Sequence, residues 1–214
     1  FRGADILLRP EHLDRAYLAD AKVLTCGSVT LSAGGRDALI QAVRWAREDG
    51  VIVAFDANYR PAVWSGDTVA RETIMTVMRF VDVVKLNQAE LTLLAGTEDL
   101  QRGSRRILDL GVKLCLITLG ADGAYFDDGC MRGYVHGFDT RVVDTTGCGD
   151  AFLSAFLGGL IVSDDQLEEL TEARLRRLIQ VANASGALNA SRQGAIPGLP
   201  TCYAIDKLLS NAAP

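Results

Sequence analysis

Residues 142–152 read Val-Val-Asp-Thr-Thr-Gly-Cys-Gly-Asp-Ala-Phe. Val142 and Val143 are β-branched and suit the end of a strand. The small residues, two glycines and two aspartates that follow demand a tight turn. An apolar run over residues 151–162, with Gly158-Gly159 inside it, then has the length of a buried helix. Strand, glycine turn and buried helix in succession are a unit of α/β folds. The first N–H groups of such a helix lack intrahelical partners, and its dipole favours negative charge there. The turn is therefore a ready anion site, typically for phosphate. Gly147 and Gly149 have no Cβ, which lets a phosphate reach the backbone. Asp150 would repel that phosphate, so it needs another purpose, and a general base toward an attacking hydroxyl is one. The plainer alternative is a glycine turn that only starts a core helix, with Asp150 stabilising its first turn. The stretch is neither a Walker A loop nor Gly-x-Gly-x-x-Gly.

The rest of the chain alternates. Helical patterns are expected over residues 11–19, 34–48, 67–80, 88–94, 100–110, 167–190 and 203–210. Short apolar runs at 22–26, 51–55, 82–86 and 114–119 have strand length, and the second and fourth read as strands buried on both faces. Turn signals at Ala121-Asp122-Gly123 and Asp127-Asp128-Gly129 suggest a hairpin, hence a small antiparallel extension near 124–143. Such alternation predicts a mostly parallel sheet with helices on both faces. The 214 residues suit one large α/β domain, and 1–214 is read as a single one.

Composition excludes several classes. A net charge of −5 without a basic block argues against nucleic acid or an anionic membrane as main partner. The longest apolar run falls short of the roughly 20 residues that span a bilayer. The five cysteines are scattered, odd in number and without metal spacing, which suggests a reduced, cytoplasmic protein. His12 and His136 are isolated and read as ordinary surface or satisfied histidines. The chain opens on Phe1-Arg2-Gly3 and reads as a piece of something longer.

Ligands of parallel sheets sit beyond the carboxyl ends of the strands. Asp56 and Asn58 follow the second expected strand, and Asn87 and Glu90 the third. Thr118, Gly120 and Gly123 close the fourth, and residues 144–150 follow Val143. Helix caps use the same residue types, but four such ends together favour a ligand site.

These residues resemble a family. Asp144-Thr-Thr-Gly-Cys-Gly-Asp150 is similar to the Asp-Thr-x-Gly-Ala-Gly-Asp signature of the ribokinase-like sugar kinases, the phosphofructokinase-B family. Asn87-Gln-Ala-Glu90 resembles its Asn-x-x-Glu element, and Thr118-Leu-Gly-Ala-Asp-Gly123 its nucleotide segment. Residues 55–64 resemble the Asp-x-Asn-x-Arg…Trp segment of the fructokinase and 2-keto-3-deoxygluconate kinase branches, and residues 183–194 the helix and loop near the adenine. The resemblance implies a three-layer α/β/α fold and ATP-dependent phosphorylation of a small sugar or sugar acid. It implies that Asp150 is the base and that Gly147, Cys148, Gly149 and the Asp150 N–H form the anion hole. Preorganised donors of that kind are typically worth about 3–4 kcal/mol each. Asn87 and Glu90 would organise Mg²⁺ and phosphate through water; the plainer alternative is that Glu90 only balances a helix dipole. Thr118, Gly120, Gly123 and Thr146 would line the nucleotide, with Asn183 near its base. Asp144 and carbonyls around Thr146 and residues 189–194 are implied as a site for a monovalent cation such as K⁺.

Two departures stand out. About 100 family residues that would precede Phe1, carrying the first strands, the lid and most sugar contacts, have no counterpart here. The implied homodimer would form through that lid. Cys148 also replaces the usual alanine. It is either a tolerated small side chain or a thiolate activated by the helix start. Arg2 and Arg60, with Asp56, Asn58 and Asp150, are the candidate substrate contacts. Two arginines match a carboxylate, which favours 2-keto-3-deoxygluconate over fructose as acceptor. A non-catalytic nucleotide-binding fragment or pseudokinase is the alternative of another class.

Overall fold

The structure is a computed structural model that describes residues 3–211. The strands are β1 (Val23–Gly27), β2 (Ile52–Asp56), β3 (Val83–Asn87), β4 (Leu114–Thr118), β5 (Gly123–Asp127) and β6 (Arg132–His136). They form one sheet in sequential order. The helices are α1 (Arg15–Ala19), α2 (Ser28–Leu31), α3 (Arg36–Glu48), α4 (Asp67–Met78), α5 (Gln88–Ala95), α6 (Leu100–Leu108), α7 (Cys148–Ser163), α8 (Glu172–Ala190), α9 (Ala195–Gly198) and α10 (Cys202–Asn211). Packing divides the chain into two compact units: residues up to Ile117 with Phe126–Arg132, and Thr118–Tyr125 with the residues from Gly133 on.

In the first unit β1, β2 and β3 run parallel, with Gly27 opposite Asp56 and Asp56 opposite Lys85. The apolar runs explain this placement. Val53, Ala54, Phe55, Val83, Val84 and Leu86 are fully buried, as strands covered on both faces must be. α3 turns Leu39, Val43 and Ala46 inward at helical spacing. It ends where Gly50 takes φ +76 and the Val51 N–H donates to Ala46 O, a Schellman closure. Short 3₁₀ turns at Pro10–His12 and Pro61–Val63 begin on proline. The first of these breaks the single helix expected over residues 11–19 and leaves α1 as its remainder.

The expected hairpin is present. Asp128 N donates to Met131 O and Gly137 N to Asp122 O, so β5 and β6 are antiparallel. Gly129, at φ +91, supplies the turn, and the two preceding aspartates accept the N–H groups of residues 129–131.

In the second unit α7 packs on α8. A Cβ on Gly159 would lie 2.5 Å from Leu178 Cδ2, so that glycine sets how closely the helices approach. α10 joins α8 through Ile205, Leu209 and Ala184.

A second expectation fails. Val142 and Val143 end no strand; they are 59% and 54% exposed. The N–H groups of Val143 and Asp144 both donate to Ala190 O at the end of α8. The chain enters the glycine turn tied to a helix end, and β-branching there reflects an extended loop.

Candidate functional site

The glycine turn of the second unit has the geometry its sequence demands. Gly147 is the N-cap of α7 at φ +81, and a Cβ on it would sit 2.8 Å from Ala195 Cβ. Only glycine meets both conditions. The Ala151 N–H makes the first helical bond, to Gly147 O at 2.8 Å, while the Cys148 N–H reaches Thr145 O at 3.3 Å. The N–H groups of Gly149 and Asp150 have no backbone acceptor among the described residues. They are the open donors of a helix start. Asp150 follows, exposed and without a hydrogen-bond partner among the described residues.

Asp144 holds the turn in shape. Its Oδ1 accepts from Thr146 N at 2.9 Å and its Oδ2 from Gly194 N at 2.8 Å. These bonds, those to Thr146 foremost, hold the carboxyl below the usual carboxylate range. Both oxygens of the residue implied as a cation ligand are thus engaged by backbone. Thr146 is exposed.

A cavity of about 300 Å³ lies beside the turn, within the same unit. Thr118, Gly120, Gly123, Cys148, Gly149 and Asn183 line it, so expected nucleotide residues from the end of β4, the start of β5, α7 and α8 come together, while Asn87, Thr146 and Gly147 are not in its lining. Thr145, Phe138, Val142 and Phe152 also line it and were not picked from the sequence; an isolated Phe in a loop carries no signal of its own. A Cβ on Gly123 would meet Val135 O at 2.2 Å, so this glycine keeps two backbones in contact. Asn183 spends its amide on the carbonyls of Val135 and His136, at 2.9 and 3.1 Å. It fixes the cavity wall.

The surroundings of Cys148 work against an activated thiolate. Its Sγ donates to Asn189 Oδ1 at 3.4 Å. Burial, then the charges of Asp144 and Asp150, push the thiol above its ordinary value and outweigh the helix start. Both features favour the tolerated small side chain over the thiolate.

The first unit gathers a second cluster at the ends of β2 and β3. Asp56 and Lys85 are 7% and 6% exposed, and Lys85 Nζ lies 3.0 and 3.1 Å from the two carboxylate oxygens. Asp56 Oδ1 also accepts from Asn58 N, with Asn58 held at φ +34. Glu90 Oε1 accepts from Tyr59 N and its Oε2 from Asn87 N, each at 2.8 Å, while Asn87 Oδ1 accepts from Glu90 N. This is a capping box that also ties down the loop after β2. Burial raises the Glu90 carboxyl, opposed by those two N–H groups and by Lys85. Glu90 is only 3% exposed and engaged at both oxygens, so it is no direct magnesium ligand here, and the role expected of it runs through water. Among the described residues no His/Cys/Asp/Glu group could hold a metal by itself. Arg60 is exposed and reaches only its neighbour's carbonyl, Tyr59 O at 3.3 Å. Arg2 lies outside the described residues. Lys85 escaped the sequence reading, although a lysine inside an apolar strand signals a buried partner.

The model for the family described as "pfkB family carbohydrate kinase" matches residues 1–202. The chain belongs to the pfkB family of carbohydrate kinases. It is 36% identical over 209 residues to probable fructokinase-2 of Arabidopsis thaliana, covering 96% of this chain and 63% of that protein. The fructokinase of Vibrio cholerae O395, solved in a fructose-, ADP- and calcium-bound form, matches with TM-score 0.82 at 33% identity, over 88% of this chain and 61% of that one. The fructokinase of Xylella fastidiosa, solved with bound ATP, matches with TM-score 0.88 at 27% identity, over 96% and 66%. The pfkB chain thus spans under two thirds of the curated relatives it matches.

The expected α/β fold is therefore the family's own. Among the described residues no helix is long and apolar enough to cross a membrane.

Proposed function

We propose that the protein carrying this chain transfers the γ-phosphate of ATP to a hydroxyl of a small sugar, with fructose as the acceptor. One observation carries the reading: the Gly147 turn leaves two backbone donors open beside a cavity, with an unpartnered carboxylate next in sequence. Asp150 accepts the proton of the attacking hydroxyl. The N–H groups of Gly149 and Asp150 stabilise the charge that develops on the transferred group, without reorganisation at the moment of reaction. Magnesium accompanies the nucleotide phosphates and neutralises their charge, held mainly by phosphate and water. Residues 1–214 are read as part of one kinase domain, a reading supported by the family match over 1–202.

The acid-sugar acceptor expected from two arginines has lost its support. The relatives are named as fructokinases, and Arg60 touches only backbone. In a competition assay fructose should be phosphorylated ahead of 2-keto-3-deoxygluconate; the opposite preference reverses this choice.

The decisive variant is Asp150→Asn in the full-length protein. Turnover should fall about 10²–10⁴-fold, as loss of a general base does, while calorimetric ATP affinity stays close to the parent's. Turnover within about tenfold of the parent removes Asp150 from that role. ATP binding by a parent that turns over no sugar would instead favour the non-catalytic reading.

A further inference from the structure

A second cationic feature lies in the first unit. α6 carries Arg102, Arg105 and Arg106 at i, i+3 and i+4, so they share a face. Arg132 opens β6, thirty residues away, and the four guanidinium-bearing residues line one groove of about 430 Å³ with Asp99 and Gln101. The two walls are held together from below. Ser104 Oγ donates to Asp127 Oδ2 at 2.8 Å, both residues being buried, which fixes α6 against β5. Arg105 reaches over the hairpin turn, within 3.8 Å of where a Gly129 Cβ would stand.

The charges in this groove are unbalanced. Arg106 donates to Ala95 O and Arg105 pairs loosely with Asp109 at 3.5 Å. The guanidinium groups of Arg102 and Arg132 have no partner among the described residues. Asp99 spends one oxygen on the Arg102 N–H as the cap of α6. Like charges at i, i+4 repel, and an ordinary solvated helix face alternates signs. This face instead concentrates cations, and a strand from elsewhere in the sequence adds one more.

We propose that Arg102, Arg105, Arg106 and Arg132 form a binding site for a small phosphate-bearing molecule. Guanidinium forks match phosphate oxygens two at a time, and the groove has the volume of a small-ligand site. The four arginines share one compact groove in a chain of net charge −5, which suits a compact anion better than an extended nucleic acid. The site is separate from the Gly147 turn and does not rest on the kinase reading.

The test is calorimetric titration of the full-length protein with pyrophosphate at physiological salt, beside Arg102→Gln/Arg132→Gln. All four arginines are exposed, so the variant should keep the parent's circular dichroism and melting temperature. The parent should show a saturable component that weakens about tenfold or more in the variant, as expected for lost charge-assisted bonds. Signal from the Gly147 turn is common to both proteins and cancels. Parallel titrations with inorganic phosphate, a sugar phosphate and ADP identify which carrier of the phosphate binds best. Identical titrations of parent and variant overturn the proposal. So does arginine-dependent binding of a short DNA duplex that is tighter than that of every small anion.

Discussion

Lys85→Met tests whether the ion pair at the ends of β2 and β3 is a buried device or an ordinary surface contact. Methionine keeps the apolar stem of lysine and removes the ammonium group with its two bonds to Asp56. The register puts Lys85 opposite Asp56, and both are more than nine-tenths buried. The substitution leaves the Asp56 carboxylate in place without the ammonium 3.0 Å away. An exposed pair broken this way costs about 0–1 kcal/mol. Removing one partner of a buried pair costs about 3–5 kcal/mol, because the remaining charge stays desolvated. In a chain of this size each kcal/mol moves the melting temperature by roughly 2–4 °C, so a fall of roughly 6–20 °C is expected. Asp56→Asn should be costly for the converse reason. The double variant should lose much less than the sum of the two, since no unpaired charge remains. Urea unfolding of the four proteins measures the cycle. A Lys85→Met loss below about 1 kcal/mol, or additive effects, would show the pair to be solvated and refute the argument from burial.

Gly147→Ala should destabilise by at least about 1–2 kcal/mol, the cost of a left-handed residue with a Cβ, and should weaken ATP binding because the added atom pushes against Ala195; unchanged calorimetric affinity would show the turn can relax. Timed iodoacetamide labelling with peptide mapping should find Cys148 slower than the exposed Cys130 and Cys202, since its thiol is raised and half-buried; if Cys148 labels first, the helix start dominates after all. Asp144 has a lowered folded value, so its contribution is present above the ordinary carboxylate range and is lost as pH falls through that lowered value. The stability gap between parent and Asp144→Asn should therefore stay constant near neutrality and close only below about pH 4; a gap that widens on acidification contradicts the assignment.

Much of this molecule was legible in its sequence because the burial of its strands is written in composition. Residues 51–55 and 114–119 could be nothing but covered strands, and both expectations lie within a residue or so of β2 and β4. The hairpin followed from two glycine turns. Val142-Val143 misled because β-branching marks an extended backbone, and only the partner says whether that backbone joins a sheet. Here the partner is a single carbonyl at the end of α8. Lys85 signalled a buried partner without saying which, for a related reason. Its meaning depends on register with Asp56, twenty-nine residues away, and pairing between strands is a property of the fold.

The difference between the Asn87-Gln-Ala-Glu90 element and the Asp144–Asp150 turn shows why similar helix starts take on different work. Both sit where backbone N–H groups lack intrahelical acceptors. α5 closes its start from within: Asn87 Oδ1 takes the Glu90 N–H, and Glu90 takes the Asn87 N–H and that of Tyr59. Its anion is built in, and the Glu90 N–H, at the position where α7 leaves the Asp150 N–H open, is taken. α7 is capped by Gly147, which has no side chain to offer. Its first donors stay open, and the left-handed Gly147 and the cavity beside it distinguish it from α3 and α4, which also begin after glycine without a side-chain cap. Asp144, the carboxylate best placed to close the turn, is turned instead to Thr146 and Gly194. An acid that caps its own helix and an acid that braces the loop around an uncapped one look alike in sequence. They differ in which N–H each accepts, and on that difference rests the assignment of the anion site to α7.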